Sequence, residues 1–78
     1  MSVRIIQVRP SRDPRWRKQG GWQAFEAEGV CPVYCGENAR ESALSYAKQR
    51  AAYAPTEIRM LDHDWNVVEI IAAENTPG

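Results

Sequence analysis

The side chains best suited to binding chemistry lie in a short basic arm, residues 9–18. Its bases and its one aromatic residue are Arg9, Arg12, Arg15, Trp16, Arg17 and Lys18. Guanidinium groups bind phosphate and carboxylate oxygens, and an indole ring stacks on nucleic-acid bases. The arm therefore predicts a binding site for a nucleic acid or another partner. The alternative is a solvated loop whose bases pair with acids of the later strands.

Charge is distributed unevenly along the chain. Residues 1–18 hold six bases against one acid, a net charge of +5, and the remaining residues hold four bases against nine acids, a net charge of −5. Because the formal net charge of the whole chain is zero, the sequence lacks the electrostatic footprint of a general nucleic-acid coat. The later acids could instead form a face for a basic partner: Glu26, Glu28, Glu57, Asp62, Asp64 and Glu69.

Two cysteines and one histidine are the candidates for metal or catalytic chemistry. Cys31 and Cys35 would lie about 13 Å apart in an extended segment, too far to share one metal ion or a disulfide. His63 stands between Asp62 and Asp64, which suits a turn better than a catalytic base because no activated nucleophile accompanies it. We therefore expect no metal site, no cofactor and no enzymatic activity.

An alanine-rich helix is predicted from Asn38 to Ala54. Asn38 and Glu41 have the spacing of a capping box, whose loss typically costs about 0.5–2 kcal/mol. Pro55 disfavours a helical conformation at Ala54 and should end the helix there. Five alanines recur at helical spacing and predict a narrow buried stripe: Ala39, Ala43, Ala47, Ala51 and Ala54.

Apolar alternation predicts four or five strands around this helix. They cover residues 3–8, 22–28, 30–34, 56–61 and 67–72, the third weakened by Pro32. Residues 9–21 are expected to be a loop and residues 73–78 a flexible tail. Sequential strands with short links usually pair antiparallel. The prediction is a single α+β domain over residues 1–78, an antiparallel sheet in the order ββ(β)αββ with the helix on one face.

The second face of this sheet is left without a cover, because one helix covers only one face. The first and last strands nevertheless carry apolar side chains on both faces. Ile6, Val68 and Ile70 are therefore predicted to form a sheet-face interface with a protein partner or a second copy. The alternative is that Trp16 or Trp65 folds over this face.

These features together resemble a family of small uncharacterised bacterial ββαββ proteins, a domain-of-unknown-function family. The resemblance covers residues 3–71 and rests on Trp22, the Glu28-Gly29 turn, the alanine helix and the closing hairpin. The closing turn here, residues 62–66, differs from the Asp-Gly turn usual in that family. The layout is also similar to that of some small, non-catalytic phage-encoded anti-CRISPR inhibitors, at the level of fold only.

The function expected from the sequence is a non-enzymatic protein-interaction domain that acts through an exposed sheet face and polarised loops. Two alternatives stay open: an anti-CRISPR-type inhibitor that binds a nucleic-acid-handling complex, and a nucleic-acid-binding protein that uses the basic arm. A homodimer is compatible with the first expectation. No segment has the length and apolarity of a membrane span or the pattern of a signal peptide, so a cytoplasmic location without a membrane partner is expected.

Overall fold

The structure, a computed structural model, describes residues 3–73. These residues form five strands and two helices in one α+β unit. The elements are β1 (Arg4–Pro10), α1 (Pro14–Arg17), β2 (Trp22–Phe25), β3 (Val33–Tyr34), α2 (Ala39–Ala51), β4 (Thr56–Leu61) and β5 (Val67–Ala73). The predicted fold class is confirmed.

The five strands form one mixed sheet in the order β3-β2-β1-β4-β5. The prediction of a wholly antiparallel sheet was wrong, because β1 and β4 are parallel, with Arg4 opposite Thr56 and Val8 opposite Met60. Trp22 at the start of β2 pairs with both Pro10 and Tyr34, so β3 ends at the same end of the sheet as β1. The segment that contains α2 must therefore cross the length of the sheet before β4 begins beside Arg4.

The core lies between α2 and one face of the sheet. The helix contributes four fully or almost fully buried alanines, Ala39, Ala43, Ala47 and Ala51, as predicted. The sheet contributes Ala24 and the larger side chains of Ile6, Val8, Ile58 and Met60. Leu44 and Tyr46 flank the alanine stripe and pack against this core, whereas Tyr53 beyond the helix is 82% exposed. Small helix residues thus face bulky strand residues, which lets the two layers lie close together.

Both predicted ends of the helix need correction. Asn38 precedes the helix but makes no side-chain capping bond; its backbone carbonyl accepts from Ser42 N at 2.9 Å instead. The helix ends at Ala51, three residues before the predicted end at Ala54. Ala52 and Tyr53 donate to carbonyls only three residues back, so the chain tightens into turns before it reaches Pro55.

The predicted loop at residues 9–21 contains regular structure. Strand β1 continues through Pro10, and α1 forms a single helical turn that Asp13 caps by accepting from Arg15 N at 2.9 Å. Strand β3 is reduced to two residues after Pro32 and lies at the edge of the sheet. Of the predicted tail, Ala73 belongs to β5, and residues 74–78 lie outside the described residues.

Candidate binding surface on the open sheet face

The face of the sheet opposite α2 is named the open face here. Residues paired directly across neighbouring strands share one face, so the registers assign its members. They are Ile5, Gln7, Arg9, Gln23, Phe25, Val33, Glu57, Arg59 and Ile70. Ile5 is 40% exposed and Ile70 is 57% exposed. The open face therefore presents apolar side chains to solvent beside polar and charged ones.

An arginine–aromatic cluster occupies the end of the open face where β1 ends. The guanidinium carbon of Arg9 lies 4.5 Å from the ring centroid of Phe25 and 4.0 Å from that of Trp65. The guanidinium carbon of Arg12 lies 4.1 Å from the same Trp65 centroid. These distances are within the range of cation–π attraction. Arg9, Arg12, Phe25 and Trp65 form the Arg–aromatic cluster.

Neutral amides hold Arg9 in place. Its Nη1 donates to Gln7 Oε1 at 2.6 Å. With the amide oxygen of Gln23 turned towards it, Arg9 also donates from Nε and Nη2 to that oxygen, both at 3.1 Å. Partial burial lowers the pKa of Arg9, and the neighbouring charge of Arg12 lowers this pKa further. Within residues 3–73 Arg9 forms no ion pair, so the cluster holds a half-buried positive charge without a carboxylate partner.

Trp65 reaches the cluster from the loop between β4 and β5. Its backbone adopts a positive φ of 63°, and its Nε1 donates to the carbonyl of Pro10 at 2.8 Å. Asp62 shapes the loop, because its Oδ1 accepts from Asp64 N and Asn66 N, each at 2.9 Å. These backbone hydrogen bonds lower the pKa of Asp62. Trp65 thus covers one corner of the open face, as one alternative from the sequence anticipated, and leaves Ile5 and Ile70 exposed.

The other bases of the arm differ in how they are compensated. Arg15 pairs with Asp13 at 3.0 Å, which lowers the pKa of the Asp13 carboxyl through their hydrogen bond, and Arg15 lies over Trp16. The exposed bases Arg12, Arg17 and Lys18 form no ion pair with any carboxylate of residues 3–73. Of the six predicted arm residues, Arg9 and Arg12 come together on the Trp65 ring. Arg15 and Trp16 both lie in α1 and contact each other instead.

The three predicted interface residues do not all lie on the open face. Ile6 was wrongly placed in the interface: it is fully buried beneath α2, because even-numbered residues of β1 face the helix. Ile70 lies on the open face opposite Arg59, and Val68 is 60% exposed where β5 has one residue more than β4. The apolar residue of β1 on the open face is Ile5, the neighbour of Ile6 in sequence. Alternation along β1 identifies two faces but does not say which one the helix covers.

Four contributors to this surface were missed as binding residues by sequence reasoning: Gln7, Gln23, Phe25 and Trp65. Gln7 and Arg9 share one strand face by alternation, which is a usable sequence signal. The approach of Gln23 and Phe25 depends on the register of β1 and β2, and the position of Trp65 depends on a loop 55 residues away from Pro10. No local pattern encodes either contact.

Of the remaining candidates for chemistry, Cys31 borders this surface, where its Sγ lies 3.1 Å from the side-chain amide of Gln23. Cys31 is half-buried, which raises the pKa of its thiol, and Cys35 is exposed. His63 is exposed and meets the Trp22 ring edge-on, with centroids 5.9 Å apart. Among residues 3–73, no three His, Cys, Asp or Glu side chains are grouped as metal ligands would be. No helix in the same range is long and apolar enough to cross a membrane.

A concave groove runs along α2 beside β3. It encloses about 560 Å³ and is lined by Tyr34, Asn38, Glu41, Ser42, Ser45, Tyr46 and Gln49. Its lining offers hydroxyl and amide groups and a single carboxylate, Glu41. A lone carboxylate supplies no acid–base pair for catalysis. The groove therefore points to a specific chemistry less clearly than the Arg–aromatic cluster does.

Comparison of the chain with protein families, with curated proteins and with solved structures finds no match.

Proposed function

We propose that this chain is a protein-interaction domain without enzymatic activity, and that it binds its partner through the open face. The observation that supports this most directly is the exposure of Ile5 and Ile70 on a sheet face that α2 does not cover. Apolar side chains are stabilised by about 25 cal/mol for each Å² removed from water, so a partner that covers them gains free energy.

The Arg–aromatic cluster adds the residue types that dominate protein interfaces. Arginine and large aromatic residues are enriched at the energetic centres of such interfaces. Hydrogen bonds from Arg9 to Gln7 and Gln23 arrange the cluster before any partner arrives. A pre-arranged surface loses less side-chain entropy on binding than a mobile one. The partner is expected to cover the apolar residues and to bring acceptor groups to the arginines.

Site-specific photo-crosslinking in the source cell tests this proposal. A photoreactive amino acid at position 5 lies on the open face, and one at position 48 lies on the exposed side of α2, outside the groove beside β3, as the matched control. We expect a discrete protein adduct from position 5 and none from position 48. Changing Trp65 to Ala in the position-5 protein should weaken the adduct. Equal adducts from both positions, or none from position 5, would contradict the proposal.

Nucleic-acid binding by the arm is a second candidate, favoured by one specific observation. Arg12, Arg17 and Lys18 are exposed and uncompensated within the described residues, and Arg9 beside them is half-buried without a carboxylate. Clustered unpaired cations attract phosphate groups. Against this candidate, arginines already lie over the rings of Phe25 and Trp65, where a base would stack.

Fluorescence anisotropy with a labelled oligothymidylate distinguishes the two candidates. If the arm binds single strands, neutral glutamines at Arg12, Arg17 and Lys18 should reduce the slope of log affinity against log salt by about 0.7 for each phosphate that the protein no longer neutralises. Glutamines at Arg40 and Lys48 on α2 are the control and should leave the slope unchanged. Absence of salt-sensitive binding by the unaltered protein would eliminate this candidate.

A further inference from the structure

The charges of the open face do not balance. Strand register places Arg9, Glu57 and Arg59 on this face. Arg59 pairs with Glu57 at 2.5 Å, so these two charges compensate each other. Arg9 forms no ion pair with any carboxylate of residues 3–73. The strand residues of the open face therefore carry one unmatched positive charge, and it lies in the Arg–aromatic cluster.

Arg12 places a second positive charge close to the first. The guanidinium carbons of Arg9 and Arg12 lie 4.0 and 4.1 Å from the same Trp65 centroid, so the distance between these carbons cannot exceed the sum of the two values. Arg12 is exposed and likewise pairs with no carboxylate of the described residues. Like charges at this range repel each other, and a bound anion offsets the repulsion. The cluster therefore favours a ligand with negative charge.

The unused N–H groups of Arg9 fit a carboxylate. A guanidinium group has five N–H groups. Arg9 donates three of them, from Nη1 to Gln7 and from Nε and Nη2 to Gln23. One N–H therefore remains on each of Nη1 and Nη2. A carboxylate has two oxygens that accept such a pair of N–H groups together, which makes the hydrogen bonds both strong and specific in direction.

The surroundings of Arg9 indicate what kind of molecule carries this carboxylate. Ile5 is 40% exposed on the same face and lies four residues before Arg9, about 13 Å away along β1. A protein segment covers Ile5 and presents an acid at once, whereas a phosphate backbone gains little from an apolar contact. Strand β1 pairs with β2 and β4 on its two sides, so its backbone offers no nest of free N–H groups for a chain terminus. The arrangement therefore fits an acidic side chain of a protein.

We propose that the Arg–aromatic cluster binds an Asp or Glu side chain of the protein partner, in a segment whose apolar side chain covers Ile5. The carboxylate accepts the two unused N–H groups of Arg9 and lies beside the guanidinium of Arg12. Glu57 and Arg59 stay paired with each other, so the partner needs no further charge at this face. This inference rests on the proposed function, because it names the chemistry of the partner that binds the open face.

Selection from a phage-displayed library of random dodecapeptides tests the proposal with a defined probe. We expect the enriched peptides to combine Asp or Glu with apolar residues and to bind Arg12→Gln about tenfold more weakly or worse. Arg12 is exposed, so this variant keeps the fold. Lys48→Gln on α2 is the control with the same change of charge and should bind as the unaltered protein does. Enriched peptides without an acidic residue overturn the inference, and so does a library from which nothing is enriched.

Fluorescence anisotropy with one labelled, enriched peptide then tests the contact itself. Changing its acidic residue to glutamine should weaken binding to the unaltered protein about tenfold or more. The same change should have less than about a twofold effect on binding to the double variant Arg9→Gln and Arg12→Gln, because the acid has then lost its partners. Thermal unfolding checks that the double variant is folded. An equal loss with both proteins overturns the inference.

Two further outcomes separate this inference from the alternatives. If Ile5→Ser abolishes peptide binding but Arg9→Gln and Arg12→Gln do not, the inference is overturned and the proposed function stands. If unlabelled oligothymidylate displaces the peptide as efficiently as unlabelled peptide does, the cluster binds phosphate and the inference is again overturned. Failure of the photo-crosslink at position 5 would instead contradict the proposed function, whatever binds the arginines.

Discussion

At the scale of single residues, Glu26 and Arg9 are two partly buried charges that differ in whether an opposite charge lies beside them. The Glu26 side chain is only 10% exposed and accepts from Arg50 Nε and Nη2 at 3.0 and 3.1 Å, with Arg4 Nη1 at 3.5 Å. It connects β2 to the end of α2 and to the start of β1. Arg9 is half-buried with neutral amides instead of carboxylates around it. Glu26 therefore forms a structural ion pair with Arg50, whereas Arg9 is a charge that no carboxylate of residues 3–73 pairs with and that we propose a partner contacts.

Changing Glu26 to Gln should reduce the free energy of unfolding near neutral pH. The variant loses charge-assisted hydrogen bonds to Arg50 and leaves two arginines without their carboxylate, an expected cost of about 1–3 kcal/mol. Urea unfolding followed by tryptophan fluorescence measures this difference. Glu41→Gln, on the exposed surface of α2, is the control and should change the stability by less than about 0.5 kcal/mol.

The pH dependence of the same variant follows from the pKa of Glu26. Arg50 lowers the pKa of Glu26 below its ordinary value of 4.5, so the folded protein binds this proton less readily than the unfolded chain. The stabilisation is fully present above pH 4.5 and is lost as the pH falls through the folded-state pKa. The stability difference between the unaltered protein and Glu26→Gln should therefore shrink in that acidic window. A difference that stays constant there would contradict the role given to Glu26.

At the scale of elements, α2 is held by packing more than by its ends. Four alanines at a spacing of four residues are buried against Ile6, Val8, Ile58 and Met60. Asn38 makes no side-chain capping bond. Since tertiary contact of a helix face contributes more to stability than propensity or capping alone, the close approach of α2 to the sheet is the determining feature. Substitutions on the alanine stripe and at Asn38 should therefore differ in effect.

Changing Ala47 to Leu should destabilise the protein by about 1–3 kcal/mol, because three extra heavy atoms must fit where α2 lies close to the sheet. Changing Asn38 to Ala should cost less than about 0.5 kcal/mol, since the Asn38 side chain makes no capping hydrogen bond. Thermal and urea unfolding of both variants measure the contrast. A cost of about 1 kcal/mol or more for Asn38→Ala would show that Asn38 caps the helix in solution.

At the scale of the whole molecule, stability depends on β1 at the centre of the sheet. This strand pairs with β2 on one side and with β4, about 50 residues away in sequence, on the other. Its helix-facing residues Ile6 and Val8 are fully buried. The parallel β1–β4 pair forms only when distant parts of the chain meet, so the sheet and core are expected to form together.

Amide hydrogen exchange should show that the central strands are the most stable part of the sheet. Amides that bond across β1 and β4 should exchange slowest, by global unfolding, because these strands are interior and their side chains form the core. The amides of the two-residue edge strand β3 should exchange much faster. The protection of β1 should match the free energy of unfolding from urea. Exchange of β1 as fast as that of β3 would contradict its central position.

Several parts of the fold could be predicted because they depend on local patterns. The buried alanine stripe follows from a spacing of four, and the bounds of β4 and the burial of Ile58 and Met60 follow from alternation. The early end of α2 could not be predicted from Pro55 alone, because the turn at Ala52 and Tyr53 depends on how the chain enters β4. Ile6 was misassigned for a similar reason, since alternation is symmetric between two faces.

The candidate surface was only partly predictable. The basic arm was recognisable by composition, and the open face followed from having one helix beside one sheet. The sequence did not predict which arginines form the cluster. Arg9 contacts Phe25 because of the strand register, and it contacts Trp65 because of a loop that is distant in sequence. Arg15 pairs with Asp13, whereas Arg12 lies over Trp65 and pairs with no carboxylate of residues 3–73. This difference depends on local geometry, which the amino-acid composition of the arm does not predict.

The sequence by itself determined the number of strands and the approximate position of the main helix and of each strand, because hydrophobic period and turn residues act over a few neighbours. It also determined the excess of positive charge in residues 1–18. Only the tertiary structure decided that β1 and β4 run parallel, that Ile6 is core while Ile5 is surface, and that Arg9 and Arg12 share the Trp65 ring. The physical reason is that strand pairing and side-chain burial are long-range choices, made by the packing of the whole chain and not by any segment alone.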